Sequence, residues 1–134
     1  MTPFSLTIVT PDGLEFEGQV EELVVRTTTG DIGILAGHIN CVAALGMGRA
    51  TVVQDGKKRY GACIGGMVSV MNGQVKLVPT TFEWAEDIDT ARAEASMQRA
   101  KETLNNQNAS NMDLRLAEAR MHRALVRQGV ASMK

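Results

Sequence analysis

Seven side chains in the C-terminal part of this chain have the types and spacing of an anion site. Asp89, Arg92, Ser96 and Arg99 recur at intervals of three and four residues, and Arg120, Arg123 and Arg127 do the same. On helices, each set shares one face. Two such faces turned towards each other present guanidinium groups in the bidentate geometry that phosphates accept. A carboxylate beside them meets a ribose or base donor, and the small Ala93 lets a flat base lie close to the helix. The same spacing also suits a solvated face with i,i+3 ion pairs, each contributing roughly 0.2–0.5 kcal/mol. Spacing alone leaves both readings open.

Other chemistries find less support. Residues 30–37 are glycine-rich but lack the Lys-Ser/Thr ending of a phosphate loop, and residues 61–66 do not open a helix. His38 and His122 form no metal-spaced cluster with Cys41 and Cys63. A Cys41–His38 nucleophile pair lacks an orienting third group. The chain is therefore expected to have no catalytic residues and no metal site.

The elements that must position the arginines differ from those before them. Twelve of the 13 glycines lie at or before Gly73. Residues 85–128 contain neither Gly nor Pro and are dominated by Ala, Glu, Arg, Gln, Met and Leu, the residues that lose least freedom in a helix. Residues 1–84 are rich in Val, Ile and Thr. Strands are expected over residues 4–10, 20–28, 49–54, 57–63, 67–71 and 74–78, with Asp55-Gly56 and Asn72-Gly73 as two-residue hairpin turns. Residues 30–38 read as a loop, and Pro79 as the end of the β unit. The spacing predicts a first helix over residues 88–104, capped by Asp87 or a neighbour. A second starts at the Ser110/Asp113 capping box and runs to about residue 128, with Gly129 as its stop. The Asn-rich link between them is short, so the helices fold back on each other. The expected fold is mainly β plus α: an N-terminal antiparallel β-sandwich over residues 1–84, then an antiparallel two-helix hairpin over residues 85–134. The facing stripes (Ala93, Met97, Ala100 and Leu104; Leu114, Ala117, Met121, Ala124 and Leu125) are rich in Ala and Met. Alanine buries little area, so the hairpin is lightly held.

Net charge is −1, which gives no global field towards nucleic acid or anionic lipid. The scarcity of aromatics (Phe 3, Trp 1, Tyr 1) also argues against a nucleic-acid module. No apolar run approaches the ~20 residues that cross a bilayer. The N-terminus lacks the features of a signal peptide, so membrane association is expected only through a partner. Cys41 and Cys63, flanked by apolar or small residues, read as reduced thiols.

The motifs resemble, over essentially the whole chain, those of the epsilon subunit of F-type ATP synthase. The carriers are Leu-Thr-Ile-Val-Thr-Pro-Asp-Gly at residues 6–13, Gly-Asp-Ile-Gly-Ile-Leu-Ala-Gly-His at 30–38, Gly-Gly-Met-Val-Ser-Val at 65–70, and Ile88-Asp89-Thr90-Ala91-Arg92-Ala93. Ala36 stands where the family usually has Pro. The resemblance implies a non-catalytic subunit of the proton-translocating synthase, peripheral on the cytoplasmic side of the cell membrane. In that family the sandwich clasps the gamma subunit and rests on the c ring, which makes Asp31 and His38 contact residues. The hairpin regulates: docked, it permits hydrolysis; extended along gamma, its second helix (here Arg120, Arg123 and Arg127) meets the alpha and beta subunits and blocks ATP hydrolysis. Some members bind ATP, with or without Mg2+, as a regulatory ligand of the docked form. The carry-over of that site is Glu83, Ile88, Asp89, Arg92, Ala93, Arg99, Arg123 and Arg127. The alternative is a purely structural rotor subunit with a fixed hairpin and no nucleotide.

Overall fold

The computed structural model describes residues 1–133. Ten strands form two five-stranded sheets. They are β1 (Phe4–Thr10), β2 (Gly13–Val20), β3 (Glu22–Thr27), β4 (Gly30–Ile34), β5 (Cys41–Ala44), β6 (Met47–Gln54), β7 (Lys57–Ile64), β8 (Met67–Met71), β9 (Gln74–Val78) and β10 (Thr81–Trp84). One sheet has the order β2-β1-β9-β8-β5, the other β10-β7-β6-β3-β4. Pairing is antiparallel except between β1 and β9, which run parallel. Alternating residues face inwards: Leu6, Ile8, Leu23, Val25, Val68, Val70, Val75 and Leu77 are among those that fill the space between the sheets.

The turns follow their residues. Asp55 and Asn72 have φ of 53° and 52°, each followed by a glycine of positive φ, as a two-residue hairpin with a right-handed twist requires. Three expectations are corrected. Residues 30–34 form a strand, not a loop: β4 pairs with β3, and Ile32 and Ile34 alternate with Asp31 and Gly33 in a run too short and too glycine-rich to display the period of two. The strand β2 escapes pattern reading because its inward side is only partly covered. Pro79 does not end the β unit, because β10 follows it and pairs with β7.

Glycine matters most at two positions. Gly66 has φ of 90°, and a Cβ there would overlap the Val78 carbonyl. A Cβ at Gly61, on β7, would overlap the Phe82 ring on β10. That ring stands edge-on to Trp84, with centroids 4.9 Å apart, and Phe16 meets Trp84 at 6.0 Å. The Arg59 guanidinium lies 3.7 Å over the Trp84 ring and bonds Glu86 at 2.7 Å.

Glu86 belongs to a short 3-10 helix, Ala85–Asp87, that joins the sandwich to α1 (Thr90–Leu104) and α2 (Asn111–Ala131). Asp89 caps α1, and Ser110 and Asp113 form the expected capping box on α2. Gly129 does not stop α2. The next two residues, Val130 and Ala131, are buried with Ala62, Ala85 and Ile88, and this burial offsets the cost of a helical glycine. The helices meet through Ala93, Ala100, Ala117 and Ala124. Leu125, expected on that seam, is 50% exposed. The helix α2 packs on β6, β7 and the 3-10 helix, and α1 packs on α2.

Gly61→Ala is expected to force the Phe82 ring from its place and destabilise the sandwich by about 1–3 kcal/mol. Urea unfolding of the full chain checks this. An unchanged midpoint would mean that the aromatic end of the sandwich repacks freely.

Candidate functional site

Asp89 has extended backbone (φ −80°, ψ 98°), and its Oδ1 accepts the Arg92 backbone N–H at 3.0 Å. This cap fixes the first turn of α1, and so the direction in which Arg92, Ser96 and Arg99 point. Across the alanine seam, α2 presents Arg120, Arg123 and Arg127. The two faces and the end of the sandwich enclose a cleft of about 490 Å3 lined by Thr10, Asp12, Thr81, Phe82, Glu83, Asp89, Arg92, Ala93, Ser96, Arg99, Arg120, Arg123 and Arg127. Long-range folding therefore brings together seven residues of the expected ATP set: Glu83, Asp89, Arg92, Ala93, Arg99, Arg123 and Arg127. It does not bring Ile88 into the lining. That side chain is 5% exposed, in the apolar cluster with Val130.

Five arginines face three carboxylates in this cleft. Arg127 Nε donates to Glu83 Oε1 at 2.6 Å, with both side chains half-buried. Among the described residues, the guanidinium groups of Arg92, Arg99, Arg120 and Arg123 have no carboxylate partner. This excess of positive over negative groups favours a ligand that carries several negative charges. Hydroxyls of Thr81 and Ser96 line the same space and suit a polyhydroxylated ligand.

Pattern reading missed Thr10, Asp12, Thr81 and Phe82; it placed Arg120 and Ser96 on the anion faces, although the family carry-over of the ATP set includes neither. Asp12 carried no signal beyond its turn. The turn is tied down by Thr10, whose Oγ1 accepts the Asp12 N–H at 3.1 Å. A second cleft of about 490 Å3, on the other side of α2, includes Arg26, Asp31, Arg49 and His122. Its arginines are engaged: Arg26 pairs with Asp31 at 2.9 Å, while Arg49 lies 5.5 Å from the Tyr60 ring centroid and donates to Met133 Sδ at 3.1 Å. Free cationic charge therefore distinguishes the first cleft.

The other expected contact residues lie on β4 and in the loop after it, and Asp31 also lines the second cleft. Asp31 is exposed on β4, and His38 is half-buried in the loop after it, with Nδ1 2.8 Å from the Ile39 carbonyl. Beside them Leu35, Ile39, Val42, Met67, Met71 and Val78 are exposed apolar residues. Cys41 is half-buried, 3.9 Å from His38 Nδ1. Burial pushes the Cys63 thiol up to about 12, which makes it inert at neutral pH. Among the described residues, no helix is long and apolar enough to cross a membrane.

Comparison with known proteins accounts for the whole layout. The family model for the ATP synthase delta/epsilon chain β-sandwich domain matches residues 3–85, and that for the delta/epsilon chain long α-helix domain matches residues 86–132. The ATP synthase epsilon chain of Bacillus velezensis is 39% identical over 131 residues, 98% of each chain. That of Ruminococcus albus is 37% identical over the full length of both. Among solved structures, a chain of the Euglena gracilis mitochondrial ATP synthase (OSCP/F1/c-ring) superposes with a TM-score of 0.84 at 23% identity, covering 96% of this chain and 81% of that one. The chain belongs to the delta/epsilon family of ATP synthase subunits and, within it, to the epsilon chains of the F-type enzyme.

The two helices are also joined by side chains next to the cleft. Glu94 on α1 accepts from Gln98 at 3.0 Å and from Gln128 on α2 at 2.7 Å. These bonds hold its carboxyl below the usual 4.5. A carboxyl that titrates lower when folded stabilises fully above its unfolded pKa, and that contribution is lost as pH falls. The clasp is therefore expected to weaken below pH 4.5, and Glu94→Gln to remove that part of the pH dependence. An NMR titration of the Glu94 carboxyl alongside the Gln128 amide checks this. A Glu94 midpoint at or above 4.5 would show that the clasp is absent in solution.

Proposed function

We propose that this chain is the central-stalk subunit that joins the gamma subunit to the c ring, and that ATP, bound in the arginine cleft, holds its hairpin in the docked position. The single observation that carries the reading is the set of four guanidinium groups, from both helices, that face one cleft outside any ion pair among the described residues. Arg92, Arg99 and Arg123 bind the phosphates, with Arg120 as a further donor. Glu83 orients Arg127. Asp89 uses Oδ1 for its cap and turns Oδ2 to a nucleoside donor. Ala93 leaves room for the base. Mg2+, where present, accompanies the phosphates.

Binding to the docked form alone stabilises it by RT ln(1 + [L]/Kd), about 2.7 kcal/mol at a hundredfold excess. Without the nucleotide the hairpin extends along gamma. The arginine face of α2 then meets acidic surface on the beta subunit, beside alpha, and ATP hydrolysis stops. The chain itself is not catalytic. Asp31, His38 and the exposed apolar residues beside them serve the rotor contacts, and the complex places the chain at the cytoplasmic side of the cell membrane.

One observation favours the fixed-hairpin alternative. Asp89 spends Oδ1 on the cap of α1 and Glu83 is paired with Arg127, so both carboxylates have partners within the chain. Calorimetric titration of the full chain with ATP separates the two readings. Arg92→Ala and Arg123→Ala are each expected to weaken binding by roughly tenfold, the low end for charge-assisted bonds in a solvated cleft. Asp89→Asn keeps a good cap and removes only the charge, so it separates ligand binding from helix capping. No binding by the unaltered chain would leave the structural role.

Inhibition is tested in the reconstituted complex. Replacing Arg120, Arg123 and Arg127 with Ala, or ending the chain after Asp87, is expected to raise steady-state hydrolysis while the subunit stays on gamma, as judged on a gel. Hydrolysis that stays equally low in the assembled truncation would place inhibition elsewhere, for instance in MgADP held at the catalytic sites.

A further inference from the structure

We propose that Ile88, although it stands within the Ile88-Asp89-Thr90-Ala91-Arg92-Ala93 motif, is a positioning residue whose side chain is turned away from the ligand and which acts by seating the hairpin on the sandwich. The proposal rests on the ATP reading of the cleft. Ile88 is absent from the cleft lining and buried, with Ala62 of β7, Ala85 of the 3-10 helix, and Val130 and Ala131 of α2. It is the largest buried side chain of that cluster; Tyr60 and Val126 flank it, partly exposed.

Both walls of the cleft hang from this cluster. On one side Ile88 is followed directly by Asp89, the cap of α1, and then by Arg92 one turn on. On the other, Val130 and Ala131 lie three and four residues after Arg127, on the same helix face. Seating Val130 and Ala131 thus brings Arg127 to Glu83 and sets the height of Arg123 and Arg120 above it. The seam between α1 and α2 offers little other hold, because its buried residues are alanines. Ligand affinity should therefore depend on the docked fraction, Kd,app being the intrinsic Kd divided by that fraction. Removing Ile88 lowers the fraction and leaves every ligand-facing group in place.

The test measures docking and binding separately in the full chain. Docking is read without nucleotide from NMR cross-peaks between the Ala62 and Val130 methyls, and binding from ATP calorimetry. Ile88→Ala is expected to lower the docked fraction and to raise the apparent Kd by the same factor, about tenfold or more. Ile88→Leu, which keeps the volume, should restore both. Arg123→Ala should raise the Kd without lowering the docked fraction. Loss of ATP affinity in Ile88→Ala with undiminished docking would overturn the proposal and make Ile88 a ligand contact. Loss of docking with unchanged affinity would also overturn it, because the cleft would then work undocked. If the unaltered chain binds no ATP, the reading of the cleft fails. That outcome is distinct, because docking is measured in the absence of nucleotide.

Discussion

The hairpin is held to the sandwich by a small apolar cluster, the Arg127–Glu83 pair, 2.6 Å long, and the contact of Arg49 with Met133. Everything distinctive about the molecule depends on that attachment. The sandwich is complete without the helices, with its core closed between two sheets. The helices are not complete without the sandwich, since each hides only a narrow stripe and the stripes are mostly alanine. At about 25 cal/mol per Å2, such stripes contribute little compared with a seam of leucines. The molecule therefore combines a rigid body with a marginal one, and the marginal one carries the arginines.

The junction is built to match. Arg59 covers the Trp84 ring at 3.7 Å and reaches Glu86 at 2.7 Å, so the chain is fixed as it leaves the sheet. Directly after this clamp Ile88 enters the apolar cluster and Asp89 caps the next helix. A clamp followed at once by a latch confines any hairpin movement to two or three residues, as in a hinge.

Much of this was legible in the sequence. The split between a β unit and a helical unit followed from where the glycines stop, and the two I′-type turns from Asp55-Gly56 and Asn72-Gly73. Spacing alone put the arginines on shared faces. What could not be read depended on partners distant in the chain. Strand β4 is a strand because β3 lies beside it, and α2 passes Gly129 because Ala62 and Ala85 bury the residues that follow. Asp12 reaches the cleft because the β1–β2 turn of one sheet and strand β10 of the other both border it. The motif itself misled in one respect: consecutive residues point to different places, and Ile88 points away from its neighbours' cleft.

The charges then acquire a direction. On the proposed function, closing the hairpin brings four guanidinium groups without carboxylate partners into one cleft, and their mutual repulsion opposes the closure. The apolar latch and the Arg127–Glu83 pair must exceed that repulsion for the docked form to persist. Both forces are small, since the cluster is mostly alanine and the arginines are largely solvated. A multivalent anion reverses the sign of the electrostatic contribution: groups that push the helices apart become the groups that hold one ligand between them. A hairpin glued by leucines would dock whatever the ligand, and one without Ile88 and Val130 would have no cleft to offer. On the proposed function, the thin alanine seam and the surplus of arginine are therefore two halves of one device. The first keeps the docking energy low enough for the second to decide it.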